Sequence, residues 1–400
     1  MALSKEQREW LALALVPGVG SVQFIRLLAR FRTPERVLNA PRGVLAEVVG
    51  KSLADRISQY GEVSDVEGQE TLLQKAGAHL VTMEDTGYPS RLAEIYDPPL
   101  VLFVRGQLLE QDENSVAIVG TRRATPYGLR MAEKFGRELA ARGITVISGL
   151  AAGIDTAAHR GAIEAGGRTI AVLGCGVDVV YPPENKELMN AVALSGCVLS
   201  QFAMGVKPLP GHFPYRNRII SGLSQGTLVV EAPTSSGAMI TARQAAEQGR
   251  EVFAIPGQIG VNNSQGPHAL IREGAKLTET VEDILVELNI TSSEVSAQLS
   301  VAPARVSPRL TNTVVDQPVP PPVLAVPTAP QARAPESTMQ TISANPVERR
   351  VLTTLSPQGS HVDEIAAACK MSISEALSTL TLLELKGIVR QFSGKRFAPR

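Results

Sequence analysis

The chain has 400 residues, of which 44% are hydrophobic and 20% are charged, as expected for a globular protein of roughly two or three domains. Lys plus Arg balance Asp plus Glu at 39 each, so no net field draws the whole molecule to nucleic acid, and any DNA-binding surface must be local. Three scattered cysteines give no metal-binding spacing. The sequence has no signal peptide and no run of about 18 apolar residues, so we expect a cytoplasmic protein that contacts no membrane.

Residues 1–80 have the pattern of a small helical domain. Two apolar-periodic stretches flank a glycine-rich turn, Pro17–Gly20. This turn resembles the helix-hairpin-helix of sterile-alpha-motif-like DNA-binding modules, in which backbone N–H groups contact a DNA phosphate. A plain turn inside a structural domain is the alternative, because the basic residues near it are few, Arg26 and Arg30 among them.

Residues 81–290 alternate between strand-like and helical stretches. Near-continuous apolar strands separated by helices predict an α/β fold with a parallel sheet that is covered on both faces. In open α/β sheets, ligands bind outside the carboxyl ends of the strands, so the loops after these strands form a candidate site. The strand-like runs are SVAIVG, GITVISG, RTIAVLG, CVLSQF, TLVVEA and EVFAIPG.

The most informative segment is SVAIVGTRRATPYG, residues 115–128. It predicts a buried strand, a tight turn and a helix with Thr125 as N-cap and Pro126 as first residue. Free N–H groups at a helix start favour an anion, and the turn adds the side chains of Arg122 and Arg123. Only Gly120 remains of a glycine-rich nucleotide fingerprint, which favours a phosphate chain over one compact cofactor.

A second telling stretch is HFPYRNRII, residues 212–220. Guanidinium groups pair with phosphates while aromatic rings stack on unpaired bases, a combination that indicates single-stranded nucleic acid. The predicted DNA-binding residues here are Phe213, Arg216, Asn217 and Arg218. The alternative is that Arg216 and Arg218 are buried ion-pair partners that hold the fold.

Two more predicted strand ends carry candidate DNA-binding residues. Ser148 and Gly149 end the second strand of the domain. Ser236 and Gly237 open a helix, where backbone N–H groups can hold an anion.

Four residues could instead carry chemistry. Asp155 lies one helical turn before His159 and could orient its imidazole, although a small-residue helix packed on the sheet explains the same spacing. Cys175 fits a nucleophile less well than a small buried residue. Glu231 could contact a ribose in a nucleotide hydrolase, or bond to neighbouring loop N–H groups, and the sequence leaves both open.

The last two segments differ sharply in composition. Residues 291–343 are rich in proline and predict an extended, mostly disordered linker. Residues 344–400 predict three helices and a hairpin with Ser393-Gly394 at its turn, the pattern of a winged helix. The third helix carries little positive charge, which favours contact with protein over DNA.

The order of these strings resembles the DNA-processing protein A family over roughly residues 85–280. The strings are IVGTRRAT, SGLAAGIDTAAHRGAI, GGRTIAVLGCGVDVVYPPEN, FPYRNRII and SGAMITARQA, with AIPG and GPHALIREGA after them. The resemblance implies an extended Rossmann-like domain that dimerises, binds single-stranded DNA and helps to load the RecA recombinase during natural transformation.

The resemblance also implies which residues bind DNA. The family's Gly-Ser-Arg phosphate loop falls on Gly120, Thr121 and Arg122, with Thr keeping the hydroxyl. Its FPxRNR string falls on Phe213, Arg216 and Arg218. Pro183 stands where the family often has a basic residue, which puts a phosphate contact there in doubt.

The sequence therefore predicts a homodimeric protein that binds and protects incoming single strands, with no catalytic residue, metal or cofactor. The alternative is a nucleotide or nucleoside-phosphate hydrolase on a related sheet, with Glu231 or Asp155 as the acid. A hydrolase needs a compact pocket with a glycine-rich phosphate loop, whereas this chain places arginines and aromatics on separate loops.

Overall fold

The computed structural model describes residues 2–290, 346–356, 359–369, 371, 376, 379–380, 383–384, 388–392 and 396–399. The chain divides into two compact units, residues 1–308 and 309–400. The predicted linker, residues 291–343, and the predicted Ser393-Gly394 turn lie outside the described residues.

The first unit begins with short helices that precede its sheet. Ser4 starts the first helix with a reciprocal capping box to Gln7. Pro17–Gly20 joins the first two helices, and the rings of Trp10 and Phe24 stack with centroids 4.8 Å apart. The helices are α1 (Lys5–Leu15), α2 (Ser21–Phe31), α3 (Pro34–Leu38), α4 (Arg42–Val49), α5 (Lys51–Ser58), α6 (Tyr60–Val63) and α7 (Val66–Ala76).

The described part of the first unit has one nine-stranded sheet with the order β1-β2-β6-β5-β4-β3-β7-β8-β9. β2 pairs antiparallel with both β1 and β6. The seven strands β6, β5, β4, β3, β7, β8 and β9, in this sheet order, run parallel. The six predicted strands are confirmed as β3 to β8. The bounds are β1 (Ala78–Thr82), β2 (Val101–Gly106), β3 (Ser115–Val119), β4 (Thr145–Ser148), β5 (Thr169–Val172), β6 (Cys197–Ser200), β7 (Gly226–Val229), β8 (Glu251–Ala254) and β9 (Lys276–Leu277).

Helices cover both faces of this sheet, as its apolar strands predict. One face carries α8 (Ser90–Ala93), α12 (His212–Leu223), α13 (Gly237–Glu247) and α14 (Gln265–Arg272). The other carries α9 (Pro126–Ala141), α10 (Ile154–Glu164), α11 (Lys186–Ser195), α15 (Val281–Glu287) and the N-terminal helices. In β3, Val116 and Ile118 pack towards α9 and α10, while Ala117 and Val119 pack towards α12 and α13.

The N-terminal helices share a hydrophobic core with the sheet. Trp10 and Leu27 belong to the same buried cluster as Phe103 of β2 and Val198 of β6. The side chain of Gln69 on α7 also bonds both ways to the backbone of Met204, in the loop after β6. The helices therefore brace the loops at one end of the sheet.

The second unit contains α16 (Pro346–Thr354), α17 (Val362–Cys369) and the strands β10 (Ser360–His361), β11 (Val389–Phe392) and β12 (Arg396–Pro399). β11 and β12 pair antiparallel, which confirms the predicted hairpin strands. Residues 376, 379–380 and 383–384 are helical, within the predicted third helix, and the rest of that helix lies outside the described residues.

Candidate nucleic-acid interface

The turn after β3 lies at the carboxyl end of the parallel strands. A Cβ on Gly120 would lie 2.4 Å from Cγ1 of Ile154 and 2.9 Å from the Glu231 carbonyl oxygen, so only glycine fits there. The Thr121 N–H donates to that same carbonyl oxygen at 2.7 Å. The Thr121 hydroxyl accepts from the Arg123 N–H at 3.2 Å. The turn is thus fixed at both ends, and its two arginine side chains are exposed.

Phe213 lies beside this turn, at the start of α12. Cζ of Arg122 lies 5.1 Å from the centroid of the Phe213 ring, a cation–π contact. The ring of Tyr181, in the loop after β5, lies 5.5 Å from the Phe213 ring, centroid to centroid. The loops after β3 and β5 and the start of α12 therefore bring one guanidinium and two aromatic rings together at the carboxyl ends of the parallel strands.

Arg216 points into the protein rather than towards this edge. It is 4% exposed, and its Nη1 donates to the carbonyl oxygens of Gly149, at 2.8 Å, and Val172. Burial lowers the pKa of its guanidinium to about 10, so the group still carries its charge at neutral pH. Gly149 and Ser148 are buried as well, and the Ser148 hydroxyl donates to the Ile118 carbonyl oxygen at 2.6 Å.

Arg218 and Asn217 are likewise buried and have partners inside the protein. Arg218 forms an ion pair with Asp97 at 2.9 Å, donates to the Gln201 side chain at 2.8 Å, and lies 4.3 Å from the Tyr215 ring centroid. The Asn217 side chain donates to the Gly237 carbonyl oxygen at 3.2 Å. These contacts favour the structural alternative for the two arginines of the RNR string.

The start of α13 lies against this string through Asn217. Gly237 is exposed, and the first N–H groups of a helix have no partner within it, so they can hold an anion. The Ser236 hydroxyl is buried without a hydrogen-bond partner among the described residues. Ser236 and Gly237 thus lie at a helix start without a side-chain cap, next to the buried part of α12.

The residues considered for acid–base chemistry are held by other contacts. The Asp155 carboxylate accepts from the N–H groups of Gly149 and Ala151, at 3.1 and 3.3 Å, and burial raises its pKa. His159 is bonded through Nδ1 to the Thr169 hydroxyl at 2.7 Å, and burial lowers its pKa to about 3. Burial raises the pKa of the Cys175 thiol to about 11, so it is not a thiolate at neutral pH.

Glu231 is bonded to the first turn of α9. Its carboxylate accepts from the Thr125 N–H at 2.9 Å and from the Thr125 hydroxyl at 2.5 Å. A Cβ on Gly128 would lie 2.4 Å from this carboxylate. Of the two roles left open for Glu231, the structure shows bonding to neighbouring loop N–H groups.

Two residues at this edge were not predicted from the sequence. Tyr181 packs on Phe213, and Arg160 of α10 lines a cavity beside the turn after β3. Both occur in strings quoted above, VVYPPEN and TAAHRGAI, but their periodicity does not show which side chains reach the site.

The described part of the chain contains neither a candidate metal cluster nor a membrane-spanning helix. No cluster of His, Cys, Asp and Glu there could hold a metal ion. None of the helices described is both long and apolar enough to span a bilayer.

Comparison with known proteins matches both units to a single family. Residues 79–289 match a family model described as DNA recombination-mediator protein A, and residues 328–395 match the DprA winged helix domain. Protein Smf of Synechocystis is 36% identical over 99% of this chain and 100% of its own length. DNA processing protein DprA of Streptococcus pneumoniae is 43% identical over 57% of this chain and 86% of its own. The X-ray structure of that protein superposes with a TM-score of 0.62 at 37% identity, covering 72% of this chain and 99% of the other.

Proposed function

Because the chain belongs to the DNA-processing protein A family, with a Rossmann-like sheet and a C-terminal winged helix, we propose that it binds single-stranded DNA and acts without covalent chemistry. Phosphates bind at the turn after β3 and at the start of α13, across the carboxyl ends of the parallel strands. Bases stack at Phe213.

One observation carries this proposal. The exposed Arg122 guanidinium lies 5.1 Å from the Phe213 ring centroid, so a phosphate partner and a stacking surface are held next to each other. Aromatic stacking combined with a cationic groove is the usual way to hold a strand without reading its sequence. Within the described residues, neither Arg122 nor Arg123 has a carboxylate partner that would compete with phosphate.

In this proposal the buried residues Arg216, Asn217 and Arg218 hold other parts of the site in place. Arg216 ties the ends of β4 and β5 to α12 through the carbonyl oxygens of Gly149 and Val172. Arg218 and Asn217 tie α12 to Asp97 and to α13. We assign these three as positioning residues that hold Phe213 and the start of α13 in place.

The cellular role we propose is the one that family membership suggests. The protein protects incoming single strands and loads the RecA recombinase in natural transformation, as a cytoplasmic homodimer. The description of the family model as a recombination mediator supports the RecA step. A dimer would place two modest binding sites on one strand and raise avidity through effective concentration.

The hydrolase alternative has less support, because both of its candidate acids already have hydrogen-bond partners inside the protein. Asp155 is buried under two backbone N–H groups, and Glu231 is bonded to Thr125.

The first experiment is a fluorescence anisotropy titration of a poly-dT oligonucleotide and a matched duplex, at two salt concentrations, with wild type and Arg122→Ala. We expect Arg122→Ala to weaken single-strand binding by roughly 1–3 kcal/mol, the range of a lost charge-assisted contact. The log–log salt slope should flatten by about 0.7, the value for one phosphate contact.

Arg130→Ala is the matched control, because Arg130 is exposed on α9 but does not line the cavity beside the turn. It should change affinity much less. Wild-type affinity and salt slope in Arg122→Ala would rule out the turn as a phosphate site. If the wild type did not bind the single strand, DNA binding itself would be excluded and nucleotide hydrolysis would be assayed next.

A further inference from the structure

A cavity of about 390 Å³ opens between α9 and α10, next to the turn after β3. Three arginine side chains line it, Arg122, Arg123 and Arg160, against one carboxylate, that of Glu133. The volume lies within the range of small-ligand sites, roughly 300–1,000 Å³. Such a concentration of positive charge in a concave surface attracts an anion.

The carboxylate on the cavity wall has an ion-pair partner, whereas the arginines on the wall have none among the described residues. Arg137, one turn further along α9, forms ion pairs with Glu133 and Glu164, both at 2.7 Å. Among the described residues, no carboxylate pairs with Arg160, which is exposed. The three arginines of the cavity therefore keep their hydrogen-bond donors for a ligand. The positive charge of Arg137, which does not line the cavity, is neutralised by its two carboxylate partners.

Backbone packing fixes the distance between Arg160 and the turn. A Cβ on Gly153, the N-cap of α10, would lie 2.4 Å from the Thr121 carbonyl oxygen, so the two backbones are in direct contact. Seven residues at 1.5 Å per residue place the Cα of Arg160 about 10 Å along α10 from Gly153. Helical side chains lean towards the helix N-terminus, so the Arg160 side chain leans back towards Arg122.

We propose that this cavity adds a second phosphate site at the turn after β3, in which Arg160 and Arg123 bind the nucleotide phosphate next to the one held at Arg122. This inference rests on the proposed DNA-binding function and extends it to a residue outside the two strings that suggested it. The ligand is a nucleotide phosphate, either within a strand or on a free mononucleotide.

The test uses the full-length protein, a dT oligonucleotide and thymidine monophosphate, with wild type, Arg160→Ala and Arg130→Ala. We expect Arg160→Ala to weaken oligonucleotide binding by about fivefold or more, the low end for a charged contact. Its salt slope should fall by about 0.7, and Arg130→Ala should stay near wild type. Arg160 is exposed, so the variant should fold, which its melting temperature will show.

Glu133→Gln gives a prediction of opposite sign. It removes the carboxylate from the cavity wall while Arg137 keeps Glu164 as its partner. Binding should become about twofold to fivefold tighter, the size of one surface charge contact.

The outcomes separate this inference from the proposed function. Oligonucleotide binding that is lost in Arg122→Ala but unchanged in Arg160→Ala would overturn the second site alone. Monophosphate binding that depends on Arg160, in a protein that does not bind the oligonucleotide, would keep the phosphate site and assign it to a free nucleotide. No effect of Arg160→Ala on either ligand would overturn the inference.

Discussion

At the scale of single residues, arginines of identical chemistry lie in two different environments in this protein. Arg122 is exposed beside Phe213, whereas Arg216 is 4% exposed and donates to the carbonyl oxygens of Gly149, directly after β4, and of Val172 in β5. A buried guanidinium needs such partners, because an unpaired charge in the interior costs several kcal/mol. Burial therefore distinguishes the arginine that we propose as a ligand contact from the one that we propose as a positioning residue, which residue type alone does not.

His159 makes a prediction about pH at this scale. Its folded-state pKa of about 3 lies well below the unfolded value of about 6.5, because the ring is buried. Below about pH 6.5 the His159 imidazole therefore binds a proton in the unfolded chain but stays neutral in the folded protein. Stability from this residue is complete above about pH 6.5 and falls by about 1.4 kcal/mol per pH unit between there and pH 3.

Chemical denaturation followed by circular dichroism, at neutral pH and near pH 5, measures this effect. The loss of stability on acidification should be smaller in His159→Gln than in the wild type, although the variant is less stable overall. An equal loss in both proteins would show that His159 does not set the acid response.

At the scale of elements, the site depends on how closely α9 and α10 cross. A Cβ on Gly161 of α10 would lie 2.1 Å from the Glu133 carbonyl oxygen, and one on Gly136 of α9 would lie 2.4 Å from that of Ala158. Glycine at the crossing lets the two backbones touch. This close approach holds Arg160 beside the turn after β3.

Gly161→Ala should therefore push the two helices apart. We expect it to destabilise the protein by about 1–3 kcal/mol, as overpacking of a tight contact does, and to lower its melting temperature. Gly43→Ala on α4 is the control, because a Cβ there meets nothing within 4 Å. That variant should gain up to about 1 kcal/mol from helix propensity. Equal melting temperatures for the two variants would contradict the tight crossing.

The sequence predicts the parallel part of this fold well and its edges poorly. β3 to β8 are near-continuous apolar runs, because both of their faces are covered. β1 and β2 form an antiparallel pair at one side of the sheet. β2 has an apolar run of the same kind, residues 101–104, but β1 has a mixed pattern and β9 has only two residues. Residue type in the sequence indicates Arg122 and Phe213. The burial of Arg216 depends instead on the carbonyl oxygens of Gly149 and Val172, which lie 67 and 44 residues away in sequence.

At the scale of the whole molecule, a formal net charge of zero is combined with one cationic cavity. In the proposed binding mode, attraction to DNA is confined to the carboxyl ends of the parallel strands, and each chain makes few phosphate contacts. We propose that dimerisation raises the affinity for DNA, because a dimer places two binding sites on one strand.

Multi-angle light scattering after size exclusion tests this pairing. The mass should be twice the 42.5 kDa of the chain at micromolar concentration and should fall on dilution. The affinity for a long oligonucleotide should fall in parallel. A mass of one chain throughout, with unchanged affinity, would show that one copy binds the strand.

The stacked pair of Trp10 and Phe24 has an optical consequence. Trp10 is the single tryptophan of the chain, and it is 1% exposed among the N-terminal helices. The aromatic side chains at the sheet edge, Phe213 and Tyr181, are of other types. Indole emission therefore reports the integrity of the N-terminal helices as a built-in label, and no dye is needed to follow them while a strand is added.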